Sequence, residues 1–491
     1  MKHFDSIIQH LKKIDAIHQI SAVLSWDQET YMPKGSIDAR AKQLETLAGI
    51  DHDYWQDPTL ADDIHRFIDP KTKQPSADLS SEETAFIREL HATWRQHTAL
   101  SKQLVQKLTT ATTKAQHVWA DARQKSDFSL FAPYLTELVD LTIEKANQLG
   151  FDDHPYDALI DLFEPGMNVR SLDNILMPLA QNTRDFLADY SEPTLSSIDG
   201  PFDAGAQRVY SDEIMAAMGY DMARGRLDIS THPFTIDIHP SDVRITTRIN
   251  PNNLFESISS TIHEVGHGLY EQGLDTNWSF SPYGKSRSMG IHESQSRLWE
   301  IFIGQSLPFW AGQLPRLQSL FPSLDKNTPE DFYLTCKKVS PHWCRVESDI
   351  ITYNLHIAIR YECEKALFSK TLAVKDLPEF WNQKMADYLG LTITDDAKGC
   401  LQDVHWSAGL FGYFPSYTLG TLIASELFKK LYVTFPNLSS MIEAGDFIPI
   451  KDWLNQNIHI HGCKMTTPEL LSSLKIDYEP DKFLTQFTTM T

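Results

Sequence analysis

Two histidines and a glutamate lie at a spacing that could bind a metal ion and hydrolyse a bond. Residues four apart share one face of a helix, so His263 and His267 can direct two imidazoles at one ion. Glu264 could then take a proton from a water held at that ion. Chance produces this pattern in roughly a few per cent of chains. The context argues against chance, because apolar residues recur around it at helical spacing: Leu254, Ile258, Ile262, Val265 and Leu269.

A catalytic zinc normally takes three protein ligands and leaves one position open, so a third ligand is required. A third histidine on the extended pattern would fall at Gly273, which cannot bind metal. Glu271 shares the helix face of His267, but three successive turns of one straight helix cannot surround an ion. Glu293 follows a loop and begins a new helix, so we predict it as the third ligand. The acidic candidates downstream are Glu271, Asp275, Glu293 and Glu300.

Most of the chain shows helical periodicity, which predicts that helices position these residues. We predict the metal-site helices at about residues 254–272 and 291–305. Short β-branched runs at about residues 226–250 predict a small sheet directly before the first of them. Its edge could receive an extended peptide, or the sheet could be ordinary scaffold. No repeat, low-complexity tract or linker divides the chain, so we predict a single domain over residues 1–491.

Composition and charge exclude several classes of protein. A formal charge of -21 disfavours binding to nucleic acid or to an anionic membrane surface. No stretch approaches the roughly 18 apolar residues that a membrane span requires. The five cysteines have no metal-binding spacing and are predicted to be reduced thiols. Because the start of the chain also lacks the apolar core of a secretory signal, we predict a cytoplasmic protein.

The motifs around these residues resemble those of the carboxypeptidase Taq family of zinc metallocarboxypeptidases. Residues 263–267 (His-Glu-Val-Gly-His) are followed by residues 292–295 (His-Glu-Ser-Gln), as in that family. The resemblance extends from residues 25–30 to residues 458–459 and so covers nearly the whole chain. The other shared motifs are residues 232–234 (His-Pro-Phe), 242–246 (Asp-Val-Arg-Ile-Thr) and 399–406 (Gly-Cys-Leu-Gln-Asp-Val-His-Trp).

This resemblance implies a mainly α fold, with a small sheet near the active site. It implies a single large helical domain with a deep substrate groove between two lobes, similar to angiotensin-converting enzyme and neurolysin, and a homodimer. It also implies release of C-terminal amino acids from peptides with broad specificity, although poorly when that residue is proline. The implied cofactor is Zn²⁺, with Co²⁺ or Mn²⁺ as possible substitutes. Glu264 would act as general base and return the proton to the leaving amine.

The resemblance also suggests that His405 and Tyr417 donate hydrogen bonds to the oxyanion that forms during peptide hydrolysis. Residues 414–418 (Phe-Pro-Ser-Tyr-Thr) predict a turn that could aim the Tyr417 phenol. Loss of an oxyanion donor typically costs about 100-fold or more in rate. Either residue could instead be a buried, hydrogen-bonded part of the core.

An exopeptidase must also bind a terminal carboxylate, for which the planar fork of arginine is suited. Arg244 and Arg345 lie inside family motifs and are the predicted clamp, although each could pair instead with nearby Asp242 or Asp349. We also assign Asp242 to substrate binding. His232 is expected to shape the closed end of the groove. Asp403 could orient an imidazole or cap a helix.

One motif departs from the family pattern, which usually is Ile-Arg-x-x-Ala-Asp-Glu. Residues 344–350 are Cys-Arg-Val-Glu-Ser-Asp-Ile, so Ile350 stands where the family usually has glutamate. The change could alter side-chain preference or the packing of that helix. Two alternative functions stay open: an endo-acting oligopeptidase of the same zinc class, and a noncatalytic peptide-binding protein stabilised by metal.

Overall fold

The N-terminal helices form a unit with its own hydrophobic core. The computed structural model describes residues 4–191, 195–230 and 232–489. In the first helix, Ile7, Leu11 and Ile14 recur at helical spacing and are buried, as the periodicity predicts. They belong to one cluster with Trp55 and Phe86. The helices of this unit are α1 (Asp5–Thr30), α2 (Ile37–Trp55), α3 (Pro58–His65) and α4 (Ser81–Thr98).

The following helices belong to a second, much larger hydrophobic core. Their starts are fixed by side chains that accept hydrogen bonds from otherwise free backbone N–H groups, for example Ser101 from Leu104 and Asn168 from Ser171. These helices are α5 (Lys102–Lys125), α6 (Phe128–Leu149), α7 (Pro155–Ile160), α8 (Val169–Asp189) and α9 (Ala204–Met218).

A three-stranded sheet precedes the metal-site helix, as predicted. It consists of β1 (Gly225–Ile229), β2 (Thr235–His239) and β3 (Asp242–Thr247), in the order β1-β3-β2. The central strand β3 is parallel to β1 and antiparallel to β2. Because β2 pairs on one side only within this sheet, it is an edge strand and lies against the next helix.

Two helices after the sheet carry the predicted metal ligands. They are α10 (Leu254–Gly273) and α11 (Met289–Arg297), and α11 continues into a π-helical turn at Leu298–Ile303. These bounds agree closely with the predicted ranges. The rest of the body comprises α12 (Leu307–Leu320), α13 (Pro329–Lys337), α14 (Ile350–Phe368), α15 (Leu377–Leu389), α16 (Pro415–Thr434), α17 (Leu438–Glu443), α18 (Ile448–Asn457), α19 (Thr467–Leu474) and α20 (Pro480–Thr489).

The turn predicted at residues 414–418 is wrong. Pro415 occupies the first position of α16, where its fixed φ angle suits a helix and its missing N–H costs nothing. Tyr417 therefore lies in the first turn of a buried helix. Ile350 likewise is the first residue of α14, directly after Asp349, whose carboxylate accepts hydrogen bonds from the backbone of Ile351 and Thr352.

The predicted fold class is confirmed: the chain is mainly helical, with one small sheet beside the metal-site helix. A cavity of about 590 Å³ lies between the N-terminal unit and the larger body, which are in contact elsewhere, for example where Arg244 stacks on Trp26. Leu11 and Trp55 line it from one side, and Asp161 and Pro468 from the other. Within the described ranges, no helix combines the length and apolar character needed to cross a membrane.

Candidate metal centre and active site

The structure brings the three predicted metal ligands to one point. The Nε2 atoms of His263 and His267 lie 3.2 Å apart. Oε2 of Glu293 lies 3.8 Å from the first and 3.4 Å from the second. Ligand atoms at zinc distances of 2.0–2.2 Å would stand roughly 3.3–3.6 Å apart in a tetrahedron. The donor set and its spacing therefore fit a zinc ion.

The helix α10 presents its two histidines because its opposite face is buried. Leu254, Ile258 and Val265 are each at most 3% exposed. Gly266 allows α11 to approach closely, since a Cβ atom there would lie 2.6 Å from Cα of Ser296. This close packing of α10 and α11 sets the distance between the histidines and Glu293.

The third ligand is fixed on α11 by its neighbours. Arg297, one helical turn later, donates from Nε to Oε1 of Glu293 at 2.7 Å, which leaves Oε2 toward the histidines. From the other side α16 packs tightly: a Cβ atom at Gly420 would lie 2.7 Å from Cβ of Glu293. Glu293 is therefore held in one orientation by an ion pair and by backbone packing.

Each ligand histidine directs its second ring nitrogen at another polar group. Nδ1 of His263 lies 2.9 Å from Oε2 of Glu300. Nδ1 of His267 lies 2.5 Å from Nδ1 of His292, whose Nε2 lies 2.8 Å from Glu271. Such partners fix the orientation of a metal-binding imidazole and leave Nε2 for the ion. Glu271 and Glu300, two of the other acidic ligand candidates, thus support the ligands.

The charges of the site favour a cation. Burial disfavours a charged imidazole, yet the carboxylates of Glu293 and Glu300 outweigh burial and raise the pKa of His263 to about 9. Burial also disfavours the Glu293 carboxylate, but Arg297 and His263 hold the pKa of Glu293 well below its usual range. Burial and the neighbouring His292 lower the pKa of His267 to about 3, so that ring is neutral near pH 7. The Glu293 and Glu300 carboxylates supply the negative charge that suits a divalent ion.

The predicted general base lies next to the ligands and is oriented by the edge strand. The Thr235 hydroxyl donates to Oε2 of Glu264 at 2.6 Å. Glu264 is 6% exposed, and this burial raises its pKa above the usual value. A carboxylate whose pKa is shifted toward neutrality is better matched to accepting a proton from water.

The ligands and the base line one cavity of about 430 Å³. The edge strand and the segment before it supply Phe234, Thr235 and Asp237 to its wall. Tyr413 and Tyr417 line it from the start of α16. The cavity is thus placed between a strand edge, two metal-site helices and a pair of phenols.

The two predicted oxyanion donors lie at different distances from the cavity. Tyr417 lines the cavity, whereas His405 lies outside the set of described lining residues, with Nε2 3.3 Å from the Tyr417 hydroxyl. Burial lowers the pKa of His405 to about 4, so its ring is neutral near pH 7. Of these two residues, Tyr417 is the one that lines the cavity.

Arg345 is buried behind Tyr417. Its Nε and Nη2 donate to Oδ1 of Asp403 at 3.0 and 2.8 Å, and its Nη1 donates to the Tyr353 hydroxyl at 2.7 Å. Its guanidinium stacks 5.1 Å from the Tyr417 ring. Asp403 also accepts a hydrogen bond from Arg360. Its Oδ1 lies 4.0 Å from Nδ1 of His405, beyond hydrogen-bond distance. Arg345 pairs with Asp403 and not with Asp349.

Arg244 lies on the other face of the sheet. It is paired across the strands with Ile236, so it points away from the face that carries Thr235. It makes a bidentate ion pair with Asp242 at 2.7 and 2.8 Å and stacks on Trp26 of α1. Among the described residues, those lining the metal cavity do not include Arg244 or Asp242.

The predicted groove-end residue is also displaced from the metal. The His232 side chain is exposed, and its backbone carbonyl accepts a hydrogen bond from the Ser230 hydroxyl. The next two residues, Pro233 and Phe234, line the metal cavity instead. The motif therefore contributes to the cavity wall through its apolar members.

Several residues of the site have a role that the sequence pattern did not predict. Thr235 orients the base, His292 orients the ligand His267, and Arg297 orients the third ligand, Glu293. Tyr413 lines the cavity. One signal was available: Arg297 follows Glu293 by four residues, the spacing of an ion pair on a helix. Thr235 and Glu264 are 29 residues apart in the sequence, so no local sequence pattern indicates their contact.

The chain is similar in sequence to known carboxypeptidases. A family model described as Carboxypeptidase Taq (M32) metallopeptidase matches residues 6–489. Carboxypeptidase 1 of Bacillus subtilis is 37% identical over 487 residues, covering 96% of each chain. Thermostable carboxypeptidase 1 of Thermus thermophilus is 38% identical over 475 residues, covering 94% of this chain and 92% of that protein.

Solved structures show the same architecture. A Pyrococcus furiosus carboxypeptidase superposes with a TM-score of 0.94 at 33% identity, covering 99% of this chain and 98% of that one. Metallocarboxypeptidase 1 of Trypanosoma cruzi gives a TM-score of 0.93 at 32% identity and covers 100% of this chain and 99% of that one. The similarity therefore includes the whole fold around the metal site.

Proposed function

Because the chain belongs to the carboxypeptidase Taq (M32) family of metallopeptidases and is thus a peptide hydrolase, we propose that it removes amino acids one at a time from peptide C-termini. The proposed cofactor is a zinc ion held by His263, His267 and Glu293. The observation that carries the proposal is the convergence of these three donors beside Glu264. Two imidazoles and a carboxylate form a donor set typical of catalytic zinc, and Co²⁺ or Mn²⁺ could occupy it.

In the proposed mechanism, Glu264 moves the proton. When bound, the ion supplies Lewis acidity that activates water and polarises the scissile carbonyl. Glu264 takes the proton from the attacking water and passes it to the leaving amine. The Thr235 hydroxyl holds the carboxylate in the orientation that both transfers require.

Tyr417 is the proposed donor to the oxyanion. Tyr417 lines the cavity and lies in the first turn of α16, a rigid element that fixes the phenol before the substrate binds. His405 acts through Tyr417, because its Nε2 lies beside the phenol and its ring is outside the cavity wall. We therefore assign His405 a positioning role.

Arg345 is the favoured clamp for the terminal carboxylate. Its guanidinium stacks on Tyr417, which lines the cavity, whereas Arg244 lies on the opposite face of the sheet. The two ion pairs of Asp403 with Arg345 and Arg360 leave a net positive charge behind the phenol. A carboxylate at this end of the cavity would be stabilised by that charge.

Broad specificity is proposed from the mixed wall of the cavity, where Phe234 and Met289 accompany polar side chains. Weak cleavage before a terminal proline is expected, since proline removes the N–H of the scissile bond. The five free thiols support a reducing, cytoplasmic location. The homodimer is proposed from the resemblance alone.

Peptides that differ only in their C-terminal group test the exopeptidase proposal. We expect the free acid to be cleaved at least about 100-fold faster than its amide, because only the acid carries the charge that a buried arginine recognises. Liquid chromatography of released amino acids measures both rates. Equal rates, or internal fragments from the amidated peptide, would favour the endo-acting oligopeptidase.

A further inference from the structure

One carboxylate in the metal cavity has no role in the proposed mechanism. Side chains alternate along a strand, so Thr235 and Asp237 lie on the same face of β2. Their pairing partners on β3 are Ile245 and Val243. Thr235 holds Glu264, and Asp237 lines the same cavity about 7 Å further along the strand. Asp237 therefore faces the space that a substrate beside Glu264 would occupy.

Asp237 has no charge partner of its own. Its side chain opens to the cavity and makes no hydrogen bond or ion pair to another side chain within the described part of the chain. The cations nearby are engaged: His292 lies 2.8 Å from Glu271, and Lys285 lies 3.3 Å from Asp15.

The surroundings of Asp237 make an added cation favourable. The side chain is exposed to the open cavity, and the restricted water inside the cavity, together with the Glu271 carboxylate, raises the pKa of Asp237 to about 6. The group is thus ionised near pH 7.5 but poorly stabilised. A positive charge brought into the cavity would relieve this cost, whereas an apolar side chain would leave the carboxylate unpaired.

Resting on the proposed carboxypeptidase activity, we propose that Asp237 binds the cationic side chain of a lysine or arginine at one of the two residues joined by the scissile bond. An extended peptide advances about 3.3 Å per residue, and the four-carbon stem of lysine adds roughly 6 Å of reach. A residue held beside Glu264 can therefore place its ammonium group at Asp237. The enzyme accordingly prefers basic residues at that position.

Two matched peptide pairs test this preference. In one pair the last residue is lysine or methionine, which are similar in length, and in the other pair the next-to-last residue is varied in the same way. For the wild type we expect kcat/KM to favour lysine by at least about tenfold in one pair. In Asp237→Asn this ratio should fall at least about tenfold, while Asp237→Glu, which keeps the charge, should retain most of it.

The ratio separates recognition from general damage, because a structural defect lowers both members of a pair together. Thermal unfolding followed by circular dichroism checks that both variants fold. A lysine-to-methionine ratio that Asp237→Asn leaves unchanged would overturn the inference, as would a wild type with equal rates in both pairs. A wild type that cleaves no peptide would overturn the proposed function and this inference together.

Discussion

Replacing Glu264 with glutamine should lower kcat by about 10²–10⁴-fold while the protein still binds one metal ion per chain. Glutamine has the same shape but cannot accept the proton of the attacking water. It can still accept the hydrogen bond from Thr235, so the variant should fold normally. Initial rates of amino-acid release, combined with metal analysis of the purified variant, measure both quantities.

The matched control for this change lies on the same helix. Glu256 is in the first turn of α10, where it accepts a hydrogen bond from Asn250 and pairs with Arg248. Glu256→Gln should leave kcat within about twofold, because it is two turns away from the ligands. If Glu264→Gln retained more than a tenth of the wild-type rate, the assignment of Glu264 as the base would be wrong.

Replacing Glu293 with alanine should weaken zinc binding by at least about 100-fold and abolish activity in proportion. The change removes one of three donors and leaves Arg297 without its carboxylate partner. Glu300→Gln should have a smaller effect, about 10–100-fold on zinc affinity, because Glu300 orients His263 and pairs with Arg297 but is not one of the three proposed ligands. Competition with a chromogenic chelator measures the zinc affinities of the wild type and the two variants on one scale.

The order of the two losses in zinc affinity shows which glutamate is the metal ligand. A larger loss in Glu300→Gln than in Glu293→Ala would make Glu300 the ligand, one of the alternatives that spacing alone leaves open. Unchanged zinc binding in both variants would contradict the whole donor set. Circular dichroism of the metal-free proteins separates lost binding from lost folding.

Local periodicity predicted the metal-site helices well, because burial of one face determines both the pattern and the helix. The stripe of Leu254, Ile258 and Val265 is buried as expected, and it turns the two histidines toward the cavity. The choice of Glu293 rested on geometry: one straight helix cannot surround an ion. The structure places that residue on the second helix, beside both rings.

Contacts between distant segments could not be predicted in the same way. Asp403 bonds to Arg345 and Arg360, which are 58 and 43 residues away in the sequence. The face on which Arg244 lies depends on strand register, which a single short strand does not reveal. The predicted turn before Tyr417 failed because proline also starts helices, and only packing decides between the two.

A zinc titration of the metal-free enzyme tests the central claim most directly. The chain is stripped with a chelator, zinc is added in fractions of an equivalent, and release of the C-terminal amino acid from an unblocked peptide is followed at each step. We expect negligible release without metal, a linear rise to one zinc per chain, and no further gain beyond it. Full activity of the metal-free protein, or release of internal fragments at one equivalent of zinc, would contradict a zinc-dependent carboxypeptidase.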